Sequence, residues 1–320
     1  MKTTAYVVSV LLATVGSVAA QQYPTKTVRI VVGFAPGGGT DLVARIIGAK
    51  LTELWGHGFI VDNRAGAAGT IAADITAKSP PDGYNIMMGH VNSHAIAPNL
   101  YKKLPFDAQR DFAMVAYVGY VPNVLVVHPS IPAKNIAELV AIAKAKPGAL
   151  TYASSGVGST QHLAGELFQL TTNTKLVHVP YKGSGPAVVD LIAGHVIMNF
   201  DTMPPVLPFV RQGKMRALGV TTPKRANQLP DVPTMLESGL KGFEMTSWYG
   251  VMAPAKTPRD VVTRLNTEIN RIVAVPETKA KLEEVGTQLN PMTPEQFATF
   301  LGSELAKYAK LIKAAGVTVD

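Results

Sequence analysis

Three times along this chain a β-branched run ends in glycines and gives way at once to a helix start. Residues 28–34 run into Ala35-Pro36-Gly37-Gly38-Gly39, and Thr40-Asp41 opens a helix. Residues 150–154 run into Ser155-Gly156-Val157-Gly158-Ser159, with a helix from Thr160. Residues 177–180 run into Tyr181-Lys182-Gly183-Ser184-Gly185, with Pro186 expected as the first helical residue. A strand that feeds a helix through a short glycine turn is half of a βαβ unit, so each instance implies a parallel sheet. Each also leaves free backbone N–H groups and the positive end of a helix dipole beyond a strand's carboxyl end. Ligands of α/β sheets sit there. One such loop is an ordinary turn as readily as a site; three together point to an anion-binding cleft.

The rest of the chain keeps the alternation. Further strands are expected at 59–63, 85–88, 113–120, 123–128, 196–201 and 216–221, with helices at 40–55, 136–146, 160–171 and 187–194. The C-terminal part reads as helical instead. Thr257-Pro258 and Thr293-Pro294 each place a proline behind a threonine cap, predicting helices over 259–275 and from 294 to about 315. Only a short extended piece near 288–291 interrupts them. A length of 320 residues suits about two domains. With no flexible linker in sight, the segments crossing between them are expected at 120–124 and 246–252.

Several chemistries are excluded or disfavoured. A dinucleotide G-x-G-x-x-G would need glycine where Leu42 and Gln161 stand, and no P-loop motif occurs. There is no cysteine, hence no disulfide framework, thiolate nucleophile or zinc–cysteine site. His90 and His94 are spaced i,i+4, but H-E-x-x-H is absent, so no metal is expected. No G-x-S-x-G elbow exists, and His162, one turn beyond Ser159, has no evident acidic partner. An exported hydrolase using Ser159 and His162 is therefore the weaker alternative. Asp41 reads equally as a helix cap or a ligand contact, and Asp201 ends an apolar strand where it meets either a loop or a ligand.

Residues 1–20 have the pattern of a cleavable secretory signal: Lys2, an apolar stretch from Ala5 to Val15, and Val18 and Ala20 at the −3 and −1 positions. About eleven apolar residues are too few to span a bilayer. Removing Lys2 lowers the formal charge from +8 to +7. The basic residues are scattered rather than clustered, so no nucleic acid is expected as a partner.

The segments YPTKTVRIVVGFAPGGGTDLVAR, VDNRAGAAGTIAAD, VPYKGSGPAVVDLIAGHV and WYGVMAPAKTP resemble, in order and spacing, the Bug family. These are TctC-like periplasmic solute-binding proteins of tripartite tricarboxylate transporters. The resemblance implies a type II periplasmic binding protein fold: two α/β lobes joined by crossing strands, with a ligand cleft between them. Lobe 1 would comprise residues 21–123 and 247–320, and lobe 2 residues 124–246. It implies a monomer without catalysis or cofactor that captures a small carboxylate and delivers it to a membrane permease with a large and a small subunit. Carried onto this sequence, it assigns Phe34, Ala35, Gly37, Gly38, Gly39, Thr40 and Asp41 to one ligand carboxylate, with Gly66 and Gly69 beside them. His90, Asn92, Ser93, Ser154, Ser155, Gly156, Ser159, Thr160, His162, Tyr181 and Asp201 would complete the pocket. Ala67-Ala68 departs from the additional glycine that many relatives carry in the second loop.

Overall fold

A computed structural model describes residues 23–317. The signal sequence expected at 1–20 lies outside the described residues. The chain opens with β1 (Val28–Val32), α1 (Gly39–Trp55), β2 (Phe59–Asn63), α2 (Thr70–Ala77) and β3 (Asn85–His90). β1 lies between β2 and β3 and is parallel to both. Its sequence VRIVV is apolar at four of five positions because helices cover both faces of the sheet. A π-turn at Asn92–Ile96 and the short α3 (Ala97–Leu100) lead to β4 (Phe112–Val127).

After α4 (Ile136–Ala145), the same construction is repeated with β5 (Thr151–Ser154), α5 (Thr160–Thr172), β6 (Val177–Pro180), α6 (Ser184–Ala193) and β7 (Met198–Thr202). Here β5 is central and parallel to β6 and β7. The chain then continues through α7 (Met203–Arg211), β8 (Arg216–Val220), β9 (Thr246–Pro254), α8 (Arg259–Ala274), α9 (Pro276–Glu284), β10 (Gln288–Leu289) and α10 (Pro294–Ala315).

β4 joins the two halves. From Phe112 to Pro122 it pairs antiparallel with β9, which continues to β3; from Asn123 to Val127 it pairs with β7 on one side and β8 on the other. From sequence alone this strand divides into two pieces, 113–120 and 123–128, within largely parallel sheets. The outer strands are parallel, but β4 and β9 run antiparallel through the middle. Pro122 separates the two sequence runs yet remains in the strand, facing Thr246. Three cores follow from this layout. One lies under α1 and α8, with Ile47, Leu51, Leu265 and Ile269 fully buried. A second, beneath α6 and α7, holds Leu191 and Val206. The largest runs from lobe to lobe beneath α10, around Trp248, Phe297 and Tyr308.

Two helix starts differ from expectation. α6 begins at Ser184 behind Gly183, so Pro186 sits third in the first turn, where its missing N–H has no intrahelical role. α8 begins at Arg259 with Pro258, not Thr257, in the capping position. Thr293 does cap α10, reciprocally with Gln296.

Candidate functional site

The carboxyl ends of the parallel strands in both halves face each other. Four helix N-termini meet between them: α1 with Gly38, Gly39 and Thr40, α5 with Gln161, α6 with Ser184, and α7 with its N-cap Thr202. Together with Phe34, His90, Asn92 and Ser155 these residues line a tight cavity of about 10 Å³. No Lys or Arg is among them. First-turn N–H groups and aligned peptide dipoles thus supply the positive potential, which suits an anion held by backbone rather than by a salt bridge.

The lobes touch directly around this cavity. Ala35 N–H donates to Lys182 O (2.9 Å), Thr160 N–H to Asn92 Oδ1 (3.0 Å) and the Tyr101 hydroxyl to Val157 O (3.3 Å). Glycine permits the approach. A Cβ on Gly183 would lie 2.9 Å from Ala35 N, and one on Gly185 would press on Pro36 O. This is a closed arrangement.

Of the residues named from the sequence, Phe34, Gly38, Gly39, Thr40, His90, Asn92 and Ser155 line the cavity. The remainder stand back from it, and their bonds show why. Asp41 is buried but turned away: its carboxylate accepts from Gly37 N–H (3.0 Å), Asn63 Nδ2 (2.9 Å) and Arg45, which fastens the first glycine loop. It does not cap α1, whose N-cap is Gly38. Burial pushes its carboxyl up, but the hydrogen bonds from Arg45, Gly37 and Asn63 outweigh that and hold it below the usual carboxylate range. Gly69 supports the Phe34 ring from behind, with room for no Cβ beyond a 3.2 Å contact. Gly66 opens the second loop, in which Ala67 and Ala68 both take left-handed angles, φ 45° and 51°. Alanine pays about 1–2 kcal/mol there, so this loop keeps a glycine-like course without the glycine.

His90 closes one wall, edge-on to Phe34 at 5.2 Å, with Nδ1 accepting from Asn92 N–H. Burial lowers its pKa to about 3, so the ring is neutral at physiological pH. His94 is in the core, its ring against Phe112 at 4.7 Å and its Nδ1 2.8 Å from Ser93 Oγ. The Asn92 amide nitrogen and the Tyr249 hydroxyl are buried without a partner of good geometry, although Tyr249 lies beside Thr202.

The Ser159–His162 dyad of the hydrolase alternative does not form. Ser159 Oγ caps α5, accepting from His162 backbone N–H, while the His162 ring accepts from Gly158 N–H at Nδ1 and faces Glu166 at 3.9 Å. His162 stacks on His178, whose Nε2 is 2.6 Å from Ser154 Oγ; burial lowers both imidazoles. Thr160 Oγ1 joins Gln161, Ser247 and Asn123. Gly156 packs near Ala68 across the lobes, and the Tyr181 hydroxyl donates to Asp190.

Asp201 is fully buried one hydrogen bond behind the lining. It accepts from Ser184 Oγ, Gln161 Nε2 (3.3 Å), Asn199 Nδ2 (2.8 Å) and Thr202 N–H (2.8 Å). Burial raises its pKa to about 6 despite these bonds. Gln161, Ser184 and Thr202 were not singled out from sequence. Ser184 lies in the KGSG loop that was, and Gln161 is two residues beyond the α5 cap; only the convergence of the loops marks them.

Residues 43–317 match the tripartite tricarboxylate transporter family receptor, TctC. The chain belongs to the TctC family. It is 38% identical to the protein BugT of Bordetella pertussis over 97% of this chain and 96% of that one. It is similar in fold to Rpa4515 of R. palustris, solved with adipate (TM-score 0.90, 39% identity, 92% of this chain and 99% of that one). MatC of Rhodopseudomonas palustris, solved with bound malate, aligns at TM-score 0.86 with 31% identity over 91% of this chain and all of that one. The periplasmic binding protein BugD aligns at 0.89 with 34% identity, over 92% of this chain and 99% of that one. This TctC-family chain is a solute-binding protein with the two-lobed α/β fold, not an enzyme. No helix among the described residues is long and apolar enough to cross a membrane.

Proposed function

We propose that the protein captures a small aliphatic dicarboxylate in the cleft between its lobes and presents it to a tripartite tricarboxylate transporter permease. The observation that carries this is the meeting of four helix N-termini at a cavity without a cation. One carboxylate takes the N–H groups of Gly38 to Thr40 on lobe 1. The far end meets Asn92, Ser155, Gln161, Ser184 and Thr202. The adipate and malate bound by the two similar proteins support this class.

The lobes are 21–123 with 247–320, and 124–246, hinged where β4 exchanges β9 for β7 and where β9 begins. The protein works as a monomer in the periplasm after loss of residues 1–20, and its permease has a large and a small subunit. Calorimetry against a panel of C4 to C8 diacids, monoacids and neutral sugars tests the ligand class. Binding of one or more diacids is expected; binding confined to sugars or to no member of the panel defeats the reading.

A further inference from the structure

Asp201 is at odds with its surroundings as a fixed negative charge. It is fully buried, and the elements around it bring no cation to it. β4 contributes Asn123, α5 Gln161 and α6 Ser184, while β9 brings the Tyr249 phenol. His90 on β3 is neutral. His162 and Glu166 of α5 face each other, Asp190 of α6 bonds Tyr181 and His195, and Asp41 of α1 is spent on Arg45. Asp201 instead draws on the same positive field that the cavity offers its ligand, since Thr202 N–H at the start of α7 donates to it.

A ligand carboxylate against Ser184 would lie two O–H···O spans away, about 5 Å. Closing a dianion into this cavity would place three negative charges around four helix ends with no Lys or Arg among them.

We propose that Asp201 takes up one proton as the cleft closes on a dicarboxylate, so that the acid is captured together with a proton. This rests on the dicarboxylate reading above. With the cleft closed, burial brings Asp201 only to a pKa of about 6, so without a further negative charge it is largely ionised at neutral pH. A full negative charge at about 5 Å adds roughly two pH units at an effective dielectric near 20. That carries the group through neutrality, so the bound form is protonated. The proton balance is simple: water or buffer gives one proton, and the Asp201 carboxylate becomes a carboxylic acid. Protonated Asp201 turns from pure acceptor to donor, which frees the Ser184 hydroxyl hydrogen to swing to the ligand. Asp201 is therefore a positioning residue that acts through Ser184 and Gln161.

The test is calorimetric titration of the full mature chain with adipate and with malate, in two buffers of different ionisation enthalpy at about pH 7.5. The apparent heats should differ by about 0.7 proton per ligand bound. Affinity should fall up to tenfold between about pH 7 and 8, the sign required when the bound form holds the extra proton. Asp201→Asn, which imitates the protonated acid in shape and charge, should still bind, with no proton uptake and a flat pH profile. Proton uptake of zero in the wild-type protein overturns the proposal while leaving the dicarboxylate reading intact. Uptake that persists in Asp201→Asn also overturns it, assigning the proton to His90 or to the ligand. Absence of heat with any diacid removes both. If Asp201→Asn does not fold, the wild-type proton number and its decline at pH values well below 6 still decide.

Discussion

Gly185 offers a direct way to separate closure from folding. It lies in the first turn of α6, and a Cβ there would press on the carbonyl oxygen of Pro36 in the opposite lobe, well inside the ~3.5 Å at which such atoms touch. The obstacle is backbone, so no rotamer change relieves it. Opening at the proposed hinge would remove that contact, and replacing glycine by alanine inside a helix favours the helix by about 1 kcal/mol. In the closed protein the substitution incurs an overpacking cost of about 1–3 kcal/mol. It also strains the neighbouring Ala35 N–H to Lys182 O bond, 2.9 Å long, worth about 0.5–1.5 kcal/mol. The two costs together are about 1.5–4.5 kcal/mol, or roughly 10- to 1,600-fold in affinity. Gly185→Ala should therefore melt no earlier than wild type without ligand, yet bind adipate one to three orders of magnitude more weakly by calorimetry. Unchanged affinity would refute the argument. A ligand-free melting temperature lowered in proportion to the lost affinity would refute it too, because the contact would then belong to the resting fold.

Other outcomes follow from the same geometry. A Cβ on Gly39 would strike the Tyr249 hydroxyl and lie 3.1 Å from Thr202 Oγ1, whereas one on Gly38 meets only Ser184 Cβ at 3.6 Å. Gly39→Ala should thus abolish binding where Gly38→Ala costs less than tenfold, measured side by side by calorimetry. Asp41→Asn should cost about 1–3 kcal/mol of stability near neutrality through lost charged hydrogen bonds. Because the folded pKa of Asp41 is depressed, that stability is present above its unfolded value and lost as pH falls through the folded one. Urea melts of variant and wild type should then converge in acid. Ser159→Ala removes the α5 cap and should lower stability by about 1 kcal/mol in the same melts, with affinity for adipate within a few-fold of wild type.

The glycine junctions were readable in the sequence because a strand ending in glycines before a helix cap is a local pattern. The same holds for the amphipathic α8, with Val261, Leu265, Ile269 and Ile272 buried at helical spacing, and for the Thr293–Gln296 box. The helices α2, α7 and α9 were missed for reasons equally local. MPPVLPFVR carries three prolines, two of them in the first turn, where they fit, and Pro208 inside. TIAADITA is only eight residues long, and α9 buries little beyond Thr278 and Leu282. The unity of β4 was also hidden, since Pro122 is a local signal for a break and only its long-range partners, Thr246 on β9 among them, hold it in a strand.

What the sequence determined by itself is the set of anion-type helix starts and the α/β alternation, since both depend on neighbours a few residues apart. It also carried the family resemblance, through motifs spread along the chain. What only the tertiary structure decided is which groups meet. Asp41, a few residues from the glycine loop, turns away to Arg45 and Asn63, which lie on its own side of the cleft. Gln161, Ser184 and Asp201, forty residues apart at most and unremarkable in sequence, come together because three helix ends from one lobe converge on a single strand end. Charge and burial at that meeting point are sums over distant segments, and no local pattern encodes such a sum.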